Sequence, residues 1–499
     1  MRVFTAEQMQ KVDQAAVQSG LSLDSLMDKA GQAVANAAMA QWPACKHILV
    51  LCGKGNNGGD GYVAARYLQG AAKQTTLLEL ANAEDDLKTP ETKKARASFL
   101  AMSKTTALTL TNLQEALKQA DLVIDALLGN GLSRPLEGNL AEIVAAVNAS
   151  TTPVLSVDIP SGVDSDQSDI VGEHIQATRT LQLAGPKYAS VFYPGKAAFA
   201  SWQVADIGIP KSILESYSNL QLLDDHFIAN HLPKRSKTAH KYTAGTVLVI
   251  AGSARYLGAS ELACRAAFRA GAGLVTLAAE SRLPNSRPEI IFETLEWSDR
   301  PLEDIGSISN KRAQVRVIGP GLDAKAVSYL PELILQSQAP TVLDAGALTG
   351  GEEWFNAVNT HSNCVLTPHT GEAANLLEIS SKEINKNPVH YARALAEKSN
   401  TIVILKGSTT VITAAQGLSF LSTRGHEGMA TGGTGDVLAG ILGAYLAHAE
   451  DLLVRACIAV YMHGLAGEHA SQTYGNGLIA SDLVNSLASV AQSIYSKDD

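Results

Sequence analysis

The chain is poor in cysteine, in long apolar runs and in basic charge, and each shortage excludes something. Five cysteines stand among 499 residues: Cys45, Cys52, Cys264, Cys364 and Cys457. None forms a C-x-x-C pair, which excludes the familiar zinc spacings and a disulfide framework and suits a reducing compartment. All five are expected to be buried free thiols. No run of eighteen apolar residues occurs, and the N-terminal stretch MRVFTAEQMQKVD has no apolar core of a leader peptide. A cytoplasmic chain without a membrane partner is therefore expected. A net charge of −9 gives no electrostatic pull toward nucleic acid or an anionic membrane. Phosphate ligands stay open, because backbone N–H groups bind them locally.

What is present is an ordinary globular balance, 46% hydrophobic and 18% charged, in a chain too long for one core. Thr5 followed by Glu7 and Gln8 predicts a helix start, and a second helix is expected over about 25–39. Short continuous apolar runs then recur at 47–52, 76–80, 122–128, 154–159 and 180–183, with helical stretches such as 61–69 and 140–148 between them. Strands alternating with helices predict a parallel sheet covered on both faces. A second series follows at 247–251, 274–278, 315–318, 341–343, 364–366 and 401–405, and the chain turns helical after Gly435. The stretch 211–234 is less patterned and reads as a connector. The expected fold is α/β, two three-layer α/β/α domains spanning 1–218 and 225–499.

The first motif, Gly53-Lys-Gly-Asn56-Asn57-Gly58-Gly59-Asp60-Gly61, follows a strand and opens a helix, where an open α/β sheet binds ligands. Gly53, Gly55 and Gly58 satisfy G-x-G-x-x-G, and Glu79 lies where the dinucleotide fingerprint places an acid. Asn56, Asn57 and Asp60 exceed what pyrophosphate binding needs; their oxygens suit an alkali or alkaline-earth cation. The bland alternative is a tight polar turn with Asp60 as helix N-cap. Asp125 and Asp158 each interrupt an apolar run at a strand end, in Val-Ile-Asp125-Ala-Leu-Leu-Gly129 and Val-Asp158-Ile-Pro-Ser161. A carboxylate so placed needs a cation or several hydrogen-bond donors.

Together these residues resemble the NAD(P)H-hydrate epimerase family over nearly all of 1–215. The resemblance implies a Rossmann-like domain that treats the dinucleotide as substrate. It implies K+ held by Asn57, Asp125 and Ser161. It also implies substrate contacts from Asn56, Asn57, Gly58, Gly59 and Asp60, from Gly129, Asn130, Gly131, Leu132, Ser133, Arg134 and Pro135, and from Asp158. Epimerisation at a hydrated ring carbon, by loss and return of the hydroxyl or by ring opening, needs a proton carrier beside the ring. Asp158 is the expected catalytic group.

The second motif is Met429-Ala-Thr431-Gly-Gly-Thr434-Gly435-Asp436 before an apolar helix. Glycine-rich backbone at a helix N-terminus forms an anion hole. A carboxylate against a phosphate site is costly unless it does chemistry, so Asp436 reads as a general base, with helix capping as the alternative. The strand at 401–405 ends in Lys406-Gly407-Ser408-Thr409-Thr410, which lacks the Walker spacing. Gly252-Ser-Ala-Arg-Tyr-Leu-Gly-Ala259, Gly319-Pro-Gly321-Leu-Asp323 and Thr367-Pro-His369-Thr-Gly-Glu372 follow three more strands.

This set resembles the ADP/ATP-dependent NAD(P)H-hydrate dehydratases, a ribokinase-like family, over about 235–495. The resemblance implies that Ala259, Gly321, His369 and Asp436 face the hydrate. It implies that Lys406, Gly407, Ser408, Thr409, Thr410 and Gly435 face a nucleotide, with ADP as co-substrate and Mg2+ at the site. The family commonly has Gly-Leu-Gly where this chain has Gly-Leu-Asp323. The partners then expected are hydrated NADH or NADPH and ADP, in a homo-oligomer. Competing readings are a sugar or vitamin-precursor kinase, a dinucleotide sensor and an ordinary dehydrogenase.

Overall fold

Why the apolar runs become strands is visible in the first of them. In the computed structural model, which describes residues 1–81, 83–131, 134–297 and 313–495, β1 (His47–Cys52) is buried along its whole length. Its Ile48, Val50 and Cys52 pack with helices α1 (Ala6–Gln18), α2 (Leu23–Gln41) and α3 (Asn56–Gly70), while Leu49 and Leu51 pack on the other face with Leu113, Ile143 and Val144. A strand buried on both faces reads as a continuous apolar run. The expected start of α1 is a capping box: Gln8 N–H donates to the Thr5 hydroxyl and Thr5 N–H to Gln8 Oε1.

The chain divides into two compact units, Met1–Leu220 and Gln221–Asp499. In the first, the described strands are β1, β2 (Gln74–Glu79), β3 (Thr106–Ala107), β4 (Leu122–Ala126), β5 (Val154–Val157), β6 (Arg179–Leu183) and β7 (Ser201–Ala205). They form one sheet in the order β3-β2-β1-β4-β5-β6-β7, with every neighbouring pair parallel.

The other sheet contains β8 (Leu220–Leu222), β9 (Thr246–Ile250), β10 (Leu274–Ala279), β11 (Ile291–Thr294), β12 (Val315–Ile318), β13 (Thr341–Leu343), β14 (Cys364–Leu366), β15 (Ile402–Leu405), β16 (Thr410–Thr413) and β17 (Ser419–Ser422). Its order is β11-β10-β9-β12-β13-β14-β15-β16-β17-β8, parallel through β15 and antiparallel from β15 to β17. The two α/β architectures expected from the sequence are both present. The stretch read as a plain connector holds two helices, Lys211–Tyr217 and Asp225–His231, and β8. Elements of seven and three residues are too short to show a period. All five cysteines are buried and free, and no helix among the described residues is long and apolar enough to cross a membrane.

Helix Thr434–Leu446 lies directly on the second sheet, because Gly443 brings its backbone against Val247 and Val317. Arg316 of β12 is fully buried and points the other demand of the sheet at a helix end. Its guanidinium donates to the carbonyls of Leu333 (2.7 Å) and Ile334 (2.8 Å) and to Thr341 Oγ1 (3.1 Å). The carbonyls belong to helix Leu330–Leu335, whose C-terminal dipole favours a cation. Burial holds Arg316 down at about 10, still charged at neutral pH. Arg316→Met should destabilise the second unit by about 3–5 kcal/mol, since it orphans buried acceptors. Hydrogen exchange of the full-length variant should show lost protection over 315–366 and none over 1–220.

Candidate active sites

Each sheet reverses its winding direction once, at β1/β4 and at β9/β12, and such switch points are where open α/β sheets bind ligands. At the first, Gly53 N–H donates to the Ala126 carbonyl (2.9 Å). A Cβ on Gly53 would run into the Leu127 carbonyl, and one on Gly58 into the Gly53 carbonyl. The glycines thus let β1 and α3 close on the end of β4. Gly55 is the N-cap of α3 and supplies no side-chain cap. Asp60 is therefore not the cap: it sits in the helix, buried, and makes no hydrogen bond among the described residues.

Asp125, wholly buried, is satisfied by four donors. Oδ2 accepts from Ser156 Oγ (2.8 Å) and Ser161 N (2.9 Å), and Oδ1 from Ser161 Oγ (2.6 Å) and Leu127 N (3.3 Å). Burial pushes its carboxyl up and these bonds oppose the push. Asn57 Nδ2 donates to the Leu128 carbonyl (2.8 Å), and Ser161 Oγ lies 3.3 Å from the same oxygen. Asn57, Asp125 and Ser161 are thus brought together.

Beside them opens a cavity of about 650 Å³, lined by Asn56, Asn57, Asp60, Gly129, Asn130, Gly131 and Asp158 among others. Arg134 and Pro135 do not line it, and neither do Gly58 and Gly59; a Cβ on Gly59 would strike Met27. Leu132 and Ser133 lie outside the described residues.

Among the charged groups lining this cavity that sequence reasoning missed, Lys187 and Asp13 interact with Asp158. The fully buried Lys187 ammonium is paired with Asp158 Oδ1 and donates to the carbonyls of Leu183 (2.8 Å) and Gly185 (3.0 Å). Leu183 N donates to Asp158 Oδ1 (2.8 Å) and Asn130 Nδ2 to Asp158 Oδ2 (3.1 Å). Asp158 sits at φ +63, a left-handed conformation that a non-glycine residue keeps only when its surroundings enforce it. Burial first, then the Asp158 and Asp13 carboxylates, push Asp60 well above the usual range. Asp13 on α1 is pushed up to about 6 by burial, which the Lys187 charge opposes and Asp158 reinforces.

Glu79 does not serve as a dinucleotide acid. Its carboxylate is consumed by Arg96 (2.7 and 2.8 Å), Tyr62 (2.6 Å) and Thr105 (2.7 Å). Burial alone would raise it, and these donors outweigh burial and hold it low.

The second switch point is built the same way. Gly252 N–H donates to Pro320 O (2.8 Å) and Gly319 N–H to Ile250 O (3.1 Å), with φ +84 and +125 at the two glycines. A Cβ on Gly321 would press on the Tyr256 carbonyl and on Ala259, so Ala259 and Gly321 meet. The departure at Asp323 has a local reason. The residue is in extended backbone, and its carboxylate caps the short helix Ala324–Tyr329 by accepting from Lys325 N (3.0 Å). No glycine is needed there.

Helix Thr434–Leu446 is capped by Gly433, which leaves Asp436 in its first turn rather than at the cap. Burial, then the Asp344 carboxylate, raise Asp436 to about 6 against the opposing charge of Lys406. Lys406 Nζ donates to Asp344 Oδ1 (2.9 Å) and lies 3.9 Å from Glu372 Oε2. A Cβ on Gly435 would stand 3.3 Å from the same ammonium. Asp344 is buried at the end of β13 and also accepts from Thr367 Oγ1 (2.6 Å). It was missed although Val-Leu-Asp344 repeats the pattern that singled out Asp125.

His369 caps helix Thr370–Leu377: Nδ1 accepts from Gly371 N (2.9 Å), which puts the proton of a neutral ring on the exposed Nε2. His463 Nε2 lies 2.9 Å from the Thr434 carbonyl, and burial lowers the ring to about 4, so a neutral imidazole steadies the helix start. Gly407 and Ser408 are exposed at the turn between β15 and β16, Thr409 is buried, and Thr410 opens β16.

A family model described as NAD(P)H-hydrate dehydratase matches residues 247–489, and one described as YjeF-related protein N-terminus matches 23–189. The bifunctional NAD(P)H-hydrate repair enzyme of Coxiella burnetii is 34% identical over 492 residues, 96% of this chain and 97% of that protein. The enzyme of the same description from Escherichia coli is 32% identical, covering 94% and 89%. Among solved structures, the ADP/ATP-dependent NAD(P)H-hydrate dehydratase from Bacillus subtilis co-crystallized with ATP/Mg2+ is 30% identical over 55% of this chain and 99% of that chain, with a TM-score of 0.49.

The raised Asp436 carboxyl has a consequence for stability. The folded state holds the proton more tightly than the unfolded chain, so stability is fully present below the unfolded value near 4 and is lost as pH rises toward 6. Asp436→Asn removes that loss. At pH 7.5 the variant should be more stable than the parent by about 1–3 kcal/mol, and the gain should vanish below pH 4. Urea midpoints at the two pH values check this.

Proposed function

The chain belongs to the family of bifunctional NAD(P)H-hydrate repair enzymes, and from that premise we propose how its two units share the repair. Residues 1–218 interconvert the R and S hydrates of NADH and NADPH, and residues 225–499 dehydrate the S hydrate with ADP, yielding NAD(P)H, AMP and phosphate. The observation that carries the second assignment is Asp436, a carboxylate in the first turn of a glycine-opened helix with Lys406 alongside.

In the C-terminal site the obstacle is hydroxide, a poor leaving group. Asp436 takes the proton of the ring hydroxyl, and the oxygen attacks the terminal phosphorus of ADP as the bridging P–O bond breaks and AMP leaves. The backbone N–H groups of the Thr434–Leu446 N-terminus and Lys406 stabilise the transferring charge. Phosphate then leaves the ring carbon with its bonding pair and takes a proton from the neighbouring carbon, restoring the double bond. Ala259, Gly321 and His369 border the hydrate, and Lys406 to Thr410 with Gly435 border the nucleotide. Among the described residues no group of three or more His, Cys, Asp and Glu side chains forms a metal cage. Mg2+ usually takes one or two carboxylates plus substrate phosphates, so it would be held chiefly by the nucleotide, with the carboxylates around Lys406, Glu372 among them, as the protein oxygens nearby. When bound it neutralises phosphate charge.

In the N-terminal site Asp158, held by Lys187 and Leu183 N, is the proton-handling group beside the ring. Asn57, Asp125, Ser161 and the Leu128 carbonyl offer oxygens only, a set suited to K+. When bound, the ion would supply fixed positive charge near the substrate phosphates. The reading includes a cytoplasmic setting and a homo-oligomer, with no nucleic-acid or membrane partner.

Asp436→Asn should lower dehydration turnover about 10²–10⁴-fold with little change in nucleotide affinity, and leave epimerisation at the parent rate. Near wild-type dehydration in this variant would remove Asp436 from the chemistry. Asp125→Ala should weaken epimerisation and its K+ dependence together; equal rates of the parent in K+-free and K+-containing buffer would count against the ion site.

A further inference from the structure

The cavity of the N-terminal unit holds more carboxyl groups than its one buried ammonium can serve. Asp158 takes the Lys187 pairing, a backbone N–H and the Asn130 amide. Asp60 is 7% exposed, lines the cavity and has no hydrogen-bond donor among the described residues. Asp13 lines the same cavity from α1, is half-buried, and likewise has none. Three carboxyls around one ammonium cannot all be ionised cheaply in a site screened from water.

We propose that Asp13 is a second catalytic residue of the epimerase site, the general acid that hands its proton to the ring hydroxyl as it leaves. The inference rests on the reading of this unit as an epimerase. The step balances without any further reagent. Asp13 protonates the hydroxyl, the C–O bond breaks with its pair going to oxygen, and the ring nitrogen lone pair closes a C=N bond. Water then adds to the other face of that carbon, and its surplus proton returns to a carboxylate of the cavity.

The three carboxyls differ in fitness for this task. Asp158 already has a cation and a backbone donor on Oδ1, so that oxygen is committed to them. Asp60 has no hydrogen-bond donor among the described residues, and burial and its carboxylate neighbours push it well up against the Lys187 charge. Asp13 lies between these extremes: burial raises it to about 6, and the Lys187 charge makes its anion tolerable, so the proton can leave and come back. Its partial exposure leaves it open to substrate and water. The other charged side chains lining the cavity are Lys54 after β1, and Lys88 and Glu91 around the helix Pro90–Leu100.

The test uses the full-length enzyme, with R hydrate of NADH as substrate for epimerisation and S hydrate plus ADP for dehydration, after subtraction of the spontaneous rates. Asp13→Asn should lower the epimerisation kcat about 10²–10³-fold with little change in KM, and leave dehydration untouched, which also shows that the chain is folded. In the parent, epimerisation kcat should fall as pH rises above the Asp13 value, and that limb should be absent from Asp13→Asn and restored, displaced, in Asp13→Glu. Parent-like epimerisation in Asp13→Asn alongside a dead Asp158→Asn overturns the proposal and spares the epimerase reading. A raised KM with unchanged kcat also overturns it, leaving Asp13 as a binding group. A parent enzyme that dehydrates and does not epimerise overturns both.

Discussion

A lysine ammonium beyond the C-terminal end of a parallel strand, fully buried at Lys187 and largely buried at Lys406, organises each unit, and each is asked to neutralise more carboxylate than one positive charge can. Lys187 faces Asp158, with Asp13 and Asp60 around the same cavity. Lys406 faces Asp344, with Glu372 and Asp436 near it. In both places one carboxylate takes the direct contact with the ammonium. Asp13 and Asp436 are pushed up to about 6, by burial first and also by that neighbouring carboxylate, against the charge of the lysine. A carboxyl tuned near neutrality is a proton carrier, and it arises here from a shortage of counter-charge rather than from any special residue type.

The shortage is sustained by the glycines at the switch points. Gly53 and Gly58 let α3 close on the β4 end, and Gly252, Gly319 and Gly321 let three loops meet in the second unit. Side chains there would force the strand ends apart, admit water, and let each carboxylate solvate itself. Small residues deeper in the helices serve the same end: Gly440 and Gly443 seat the Thr434–Leu446 helix against Ala263 and the sheet, so its first turn and Asp436 stand at the strand ends. Packing at a distance thereby sets a protonation state at the site.

The sequence made the strands legible because they are buried on both faces and end on glycine, and it made Asp125, Asp158 and Asp436 legible because a carboxylate in an apolar run stands out. It was misleading at Glu79, whose spacing fits a dinucleotide fingerprint while its carboxylate is spent on Arg96, Tyr62 and Thr105. Asp344 carried the same strand-end signal as Asp125 and could have been found. Lys187 carried a weaker one, a Gly-Pro-Lys after β6. Asp13 carried none: on an amphipathic helix whose Val12 and Ala16 are buried, an intervening aspartate reads as a solvated face. Only the packing of α1 over the cavity reveals it. The hairpin β16–β17 escaped notice for a similar reason, since four-residue strands leave too little pattern.

Two sites are needed because the two reactions make opposite demands on one oxygen. To epimerise by hydroxyl loss, the ring oxygen must gain a proton and leave; to be phosphorylated, the same oxygen must lose its proton and attack. A single carboxyl near 6 can act in either sense, but not in one fixed geometry, because a donor must be loaded where the acceptor must be empty. What separates the two senses is the neighbouring charge. On the proposed assignment, a proton on Asp13, next to an ion-paired Asp158 and a buried Asp60, is held in reserve and used as an acid. On the proposed assignment, next to Lys406 and the N–H groups of a helix N-terminus, the Asp436 anion is favoured as soon as phosphate charge is balanced, and it works as a base. On this reading the same side-chain type, carried by a helix in each unit, serves opposite chemistry, decided by whether the positive charge beside it is already committed to another carboxylate or still shared with the incoming phosphate.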